Sequence, residues 1–150
     1  MWEVAGFVLG AIVGSFLATA AIRWPAGRQA SAGRSACDAC GRTLGPVDLV
    51  PIIGFLVRRG RCGGCGARID LKHLQIEIAT ALIGAVSLAL APGLAGVGGA
   101  VFGWGLLLLA VLDVEHLWLP DRATGLLALL GIAFGAAGAP PFPNDRLIGM

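Results

Sequence analysis

The chain has 150 residues, 57% of them hydrophobic and 13% charged, with a mean hydropathy of +0.83 and a formal net charge of +2. A water-soluble domain carries roughly 25% charged residues, so about half the charge needed to coat a globule is present, and a bilayer is the solvent this composition fits. High hydrophobicity excludes a disordered tail, the small net charge argues against a nucleic-acid-binding domain, and four cysteines are too few for a secreted disulfide mini-protein.

Val4 to Ile22 is free of charged side chains. Nineteen residues at helical rise cover about 28 Å, close to a hydrocarbon core of about 30 Å, which predicts a first spanning helix. A cleaved signal peptide would begin basic, whereas here Glu3 precedes the apolar run and Arg23 and Arg28 follow it. A second uncharged run, Ile78 to Leu112, would be about 52 Å long as one helix and overshoot the bilayer. Pro92 and Gly93 near its middle predict a helical hairpin with arms near 75–91 and 94–112. A third run, Ala123 to Asn144, predicts a fourth helix to about Gly138, ahead of Pro140, Pro141 and Pro143. Gly10 with Gly14, Gly99 with Gly103 and Gly131 with Gly135 fall at the spacing that lets helices approach closely in lipid. In a chain with 24 glycines that spacing alone assigns no interface.

The expected fold class is therefore an all-α polytopic membrane protein of about four transmembrane helices with one small polar insert. Residues 1–24 form the first helix, 25–74 the insert, and 75–150 a partial core of three membrane helices. Nine of the eleven Lys and Arg residues lie between Arg23 and Lys72 against three aspartates, so this stretch carries +6 and the remainder −4. The positive-inside rule puts the insert in the cytoplasm, together with the loop from Asp113 to Arg122. Only Arg146 is then left outside. Binding of this basic loop to anionic lipid or nucleic acid is compatible with its charge, but the arginines are scattered rather than clustered.

All four cysteines lie in the insert, as Cys37-Asp38-Ala39-Cys40 and Cys62-Gly63-Gly64-Cys65. Two thiolates separated by two residues can grip one ion from a tight turn, and two such turns complete a tetrahedral four-sulfur zinc site. Gly41 and Gly66 follow the pairs, and a weak internal echo continues to Arg42 and Leu44 in one copy and to Arg68 and Ile69 in the other, with a one-residue offset. Arg34, Arg42, Arg61 and Arg68 are placed to offset the charge of a zinc tetrathiolate. In a cytoplasmic loop disulfides are disfavoured. With four ligands spent the ion has no open position, so its expected role is structural, folding the loop.

The third helix ends at Asp113, after Leu106 to Leu112. An ionisable residue closing a membrane helix is costly and is a candidate for function. Desolvation there is expected to raise its pKa, as an aspartate-based hydrolase requires. Glu115 is two positions on and points about 200° away on a helix. Asp121, beyond Pro120, reads as an N-cap for a segment opening at Arg122 or as a loop acid. Glu77 beside His73 reads as stabilising the start of the second helix, and His116 as an interfacial side chain.

Taken together, Gly14-Ser15-Phe16-Leu17 with Arg23-Trp24-Pro25, the two cysteine pairs bracketing Asp48-Leu49-Val50-Pro51 and Gly60-Arg61-Cys62, Glu77, and Leu112-Asp113 with Leu119-Pro120-Asp121 resemble the type IV prepilin leader peptidases. The resemblance covers nearly the whole chain, with Ala18 standing where the family has an asparagine. It implies a membrane aspartic endopeptidase of the bacterial inner membrane that cleaves the leader of type IV prepilins or pseudopilins after glycine, at the cytoplasmic face. It also implies N-methylation of the new terminus with S-adenosylmethionine. By the same resemblance Asp113 matches the first of two catalytic aspartates, and Cys37, Cys40, Cys62 and Cys65 match the zinc ligands. The second aspartate belongs to a Gly-x-Gly-Asp segment that these residues do not contain, so the chain is expected to be an amino-terminal portion, inactive by itself. A competing expectation is a non-catalytic zinc-loop membrane adaptor that binds a partner or pilin leader without cutting it. A thiol redox protein using Cys37 and Cys40 is disfavoured, because two equivalent pairs argue for one shared ion.

Overall fold

The computed structural model describes residues 1–29 and 35–136. Among these residues five α-helices follow in order: α1 (Trp2–Arg23), α2 (Ile53–Val57), α3 (Leu71–Leu90), α4 (Leu94–His116) and α5 (Asp121–Ala136), with a short 3-10 turn at Pro46–Leu49. Among the described residues extended pairing is confined to two isolated antiparallel bridges. α1, α3 and α4 are long and apolar enough to cross a membrane. α5 has 16 residues, about 24 Å, within the described range. The predicted continuation to Gly138 and the proline cluster lie outside the described residues.

In α1 small residues face inward and large ones outward. The buried side of α1 is Gly6, Gly10, Ala11, Gly14, Ala18, Ala20 and Ala21, while Phe7, Val8, Ile12 and Phe16 are exposed. This inversion suits lipid, where tails are as apolar as leucine and close backbone approach drives association instead. Glycine spacing alone assigned no interface, and the structure assigns one: a Cβ on Gly10 would stand 2.8 Å from Ala81 Cα, and one on Gly14 2.8 Å from Glu77 Cα. α3 reciprocates at Gly84, where an added Cβ would collide with the Gly6 carbonyl. The fully buried Thr80 returns its hydroxyl to the Ile76 and Glu77 carbonyls, and its own carbonyl accepts from Trp104 Nε1 of α4 at 2.8 Å.

The hairpin reverses where expected, through Gly93 at φ +91, a conformation open only to glycine at low cost. Its arms run longer than predicted, because the mixed stretch from Leu71 to Gln75, which holds Lys72, His73 and Gln75, continues α3 below the apolar run. Asp70 caps that extension, accepting from the Lys72 amide at 3.0 Å. α4 likewise continues past Asp113 to His116 before Leu117 turns left-handed at φ 48. The C-terminal end of α1, the N-terminal end of α3 and the C-terminal end of α4 therefore meet at one face. They pack there through Ala18, Ala21, Ile76, Leu108 and Leu112.

Candidate metal centre and membrane-face site

The cysteine pairs sit in two matching hairpin knuckles. In the first, the Cys37 amide donates to the Arg42 carbonyl at 2.9 Å, Gly41 to Cys37 at 2.8 Å, and Leu44 to Ser35 at 2.8 Å. In the second, Cys62 donates to Ala67 at 2.8 Å, Gly66 to Cys62 at 2.9 Å, and Ile69 to Gly60 at 2.8 Å. Every donor and acceptor recurs 25 positions later, including the bridges Ala36 with Thr43 and Arg61 with Arg68. The repeat is thus in register, with Leu44 matching Ile69 and Thr43 matching Arg68, and the one-residue offset disappears. Gly41 and Gly66 hold φ +70 and +72, the left-handed turn that brings each pair of sulfurs to one side.

The four Sγ atoms lie within 4.8 Å of one another, with Cys37 Sγ and Cys65 Sγ 3.9 Å apart, and all four cysteines are free of disulfides. Sulfurs about 2.3 Å from a tetrahedral ion are about 3.8 Å apart, so the cluster has the size of a four-thiolate metal site. The Cys62 thiol is pulled down to about 6, first by the Cys65 backbone amide and then by that of Gly64. The strongest single influence on Cys40, the Arg42 amide, lowers it, but the surrounding thiols and desolvation together push it up to about 11. Four crowded thiols release their protons together only when a cation replaces those charges.

Asp48 organises the segment between the knuckles. One carboxylate oxygen accepts from the Gly45 amide at 3.0 Å and the other from Arg58 Nε at 2.5 Å, while Arg42 approaches to 3.8 Å. The Gly45 amide first, and then Arg58, hold the carboxyl below the usual aspartate range. Arg42 is therefore shared between Asp48 and the glycine turn of the second knuckle, which its side chain covers at Gly63 and Gly64. Arg34, the other arginine expected near the first pair, lies outside the described residues.

Glu77 is not at the helix start, a place taken by Asp70, but nearly two turns into α3, 7% exposed. Its Oε2 accepts from the Ile52 amide at 2.7 Å. Ile52 itself has φ 62 and ψ −55, with the Ile53 amide donating to the Pro51 carbonyl at 2.6 Å. That is the rare, strained form of the γ-turn, in a β-branched residue. A buried carboxylate of the bundle thus holds a strained turn of the cysteine-rich insert. The residue pattern suggested no such contact; its only trace was the single acid of the α3 sequence, immediately before the uncharged run.

Asp113 follows the fully buried Leu112 yet is itself exposed, so the desolvation expected of it is not found among the described residues. Glu115 pairs with Lys72 Nζ at 3.0 Å, which closes α4 onto the start of α3. Asp121 is the first residue of α5 rather than its cap, and Pro120 supplies the carbonyl accepting from the Ala123 and Thr124 amides, each at 3.0 Å. The two ion-bearing contacts, Ile52 with Glu77 and Lys72 with Glu115, bring the insert and the Asp113 end of α4 to the same end of α3. Ala18, the departure from the family's asparagine, is fully buried in the packed cluster beside them.

Residues 8–90 match the family described as the bacterial peptidase A24 N-terminal domain. A prepilin leader peptidase/N-methyltransferase of Bacillus subtilis (strain 168) is 38% identical over 117 residues, covering 77% of this chain and 47% of that protein. The protein of the same description from Aeromonas hydrophila is 33% identical, covering 77% of this chain and 40% of its own length. That of Myxococcus xanthus is 34% identical over 163 aligned positions, 99% of this chain and 45% of its own length. The chain spans less than half the length of these three relatives. No solved structure matches it.

Proposed function

Because the chain belongs to the family of the bacterial peptidase A24 N-terminal domain, we propose that it forms part of a membrane aspartic peptidase and N-methyltransferase acting on type IV prepilins or pseudopilins. The observation that carries this reading is the common face on which the metal-binding insert and Asp113 stand, tied by Glu77 and Lys72 to one end of α3. The concentration of nine basic residues between Arg23 and Lys72 supports a cytoplasmic position for that face, in a bacterial inner membrane.

In this mechanism Asp113 is one of two carboxylates that share a proton and activate a single water for attack on the scissile carbonyl. One carboxyl cannot act as base toward water and also deliver a proton to the leaving amine, so a second acid has to approach Asp113. Burial of Leu112 fixes the helix end from which Asp113 projects, and the exposure of its carboxyl leaves room for that partner and for the peptide. Methylation of the released amine draws its methyl group from S-adenosylmethionine. Cys37, Cys40, Cys62 and Cys65 would hold zinc, which with four thiolate ligands keeps no site for water and supplies folding energy to the insert rather than catalysis.

The test is leader cleavage in membranes. Residues 1–150 alone are expected to leave prepilin uncut, and a chimera continuing into the remainder of the Bacillus subtilis relative is expected to cut it. Asp113→Asn in that chimera should abolish cleavage while leaving zinc content unchanged. Full cleavage by the Asp113→Asn chimera would remove Asp113 from the mechanism and favour a non-catalytic adaptor role for this part. Cleavage by residues 1–150 alone would show that no acid from outside these residues is needed.

A further inference from the structure

Scattered in sequence, three arginines of the insert are gathered by the fold. Arg59, Arg61 and Arg68 line one open cleft of about 680 Å³, with Phe55 and Leu71 among its apolar walls and Asp70 at its edge. The antiparallel bridge of the second knuckle sets Arg61 opposite Arg68, and left-handed Arg59 and Gly60, at φ 52 and +67, turn the preceding chain beside them.

Among the described residues Arg23 and Arg122 also lack a carboxylate partner, but Arg59, Arg61 and Arg68 lie together in one cleft. Arg28 pairs with Asp38, Arg42 and Arg58 with Asp48, and Lys72 with Glu115. Among the described residues no carboxylate lies within 4 Å of the charged nitrogens of Arg59, Arg61 or Arg68. Asp70, the one acid of the cleft, already has Oδ1 accepting from the Lys72 amide. Three arginines against one aspartate leave an excess of +2, and guanidinium groups are the side chains best shaped to hold phosphate oxygens.

What lies beside the charge identifies the kind of phosphate. Leu71, 60% exposed, is the first residue of a helix long and apolar enough to cross the membrane. Leu71 stands about two turns, roughly 10 Å, before the uncharged run of that helix begins at Ile78, so the cleft opens on the headgroup side of the run and carries an apolar wall there. We propose that this cleft binds the phosphodiester headgroup of an anionic phospholipid, held by Arg59, Arg61 and Arg68, with the glycerol end along Leu71. Basic pockets at the cytoplasmic ends of membrane helices bind such headgroups. A soluble phosphate would use the arginines and leave Leu71 without a role. This site is independent of the peptidase reading, since it needs neither Asp113 nor a substrate.

The experiment measures retained lipid by native mass spectrometry of chain 1–150, released from phosphatidylcholine nanodiscs doped with phosphatidylglycerol. The wild-type chain is expected to retain phosphatidylglycerol selectively. Retention should fall on the order of fivefold per arginine removed, both in the Arg59→Gln variant and, cumulatively, in the Arg59→Gln, Arg61→Gln, Arg68→Gln variant. Arg122→Gln should leave it unchanged. Arg59 lies outside the hairpin of the second knuckle, so its single variant reads the site even where the triple variant fails to fold. Equal retention in wild type and Arg59→Gln overturns the proposal. Displacement of phosphatidylglycerol by millimolar inorganic phosphate also overturns it, by identifying a free-anion site. A triple variant that loses its metal but keeps its lipid overturns it in favour of arginines that only balance thiolate charge.

Discussion

The amide of Ile52 donates a 2.7 Å hydrogen bond to the buried carboxylate of Glu77, joining the cysteine-rich insert to a membrane helix at a strained turn. Glu77→Leu removes the acceptor and orphans that amide, a loss of about 1–3 kcal/mol. Glu77→Gln retains an acceptor oxygen and should cost less. Equilibrium denaturation of the detergent-solubilised chain measures both; equal destabilisation would mean that the charge, not the hydrogen bond, matters.

Packing of α1 on α3 leaves no room for side chains at the contact. Gly10→Leu should destabilise the bundle by at least the 1–3 kcal/mol of ordinary overpacking, because its nearest neighbours are backbone atoms of Thr80 and Ala81 that cannot rotate away. Gly125, in α5, meets nothing within 4 Å, and Gly125→Ala should stabilise by about 0.5–1 kcal/mol. Thermal unfolding of the two variants reads opposite signs.

Removal of metal should affect the insert and spare the bundle. One zinc per chain is expected, lost in Cys62→Ser. On chelation, hydrogen exchange should accelerate at the Cys37 and Cys62 amides, which bond across their hairpins, while the α1 and α3 contact near Gly10 stays protected. Loss of protection along α1 would show that the insert holds the helices together.

The pH dependence of the insert follows from Asp48. Its folded pKa is depressed by the Gly45 amide and by Arg58, so its contribution is present above the unfolded value near 3.8 and is lost as pH falls through the folded value. Asp48→Asn should therefore be less stable than wild type at neutral pH, and the two should converge in acid below about pH 4. A gap that persists at acid pH would assign the effect to packing.

Much of this architecture was legible in the order of residues. Spanning helices follow from the length of the uncharged runs, because a bilayer core leaves little latitude in how many apolar residues a crossing needs. The hairpin follows from Pro92-Gly93, and the metal cluster from two Cys-x-x-Cys turns, since both are local geometries that a few neighbouring residues dictate. Asp113 was visible as an acid closing an apolar run, but not its exposure, which depends on what packs beside it.

Tertiary structure alone decided which glycines matter, that Glu77 reaches across 25 positions to Ile52, that Asp48 gathers Gly45, Arg42 and Arg58, and that three dispersed arginines share a cleft. The glycine contacts and the Glu77 bond join segments distant in the chain, while Asp48 and the arginines meet through turns that bring nearby residues round on one another. Helical period and hydropathy describe one segment at a time. Charge, by contrast, acts through space, and where it is compensated is set only once the segments have met.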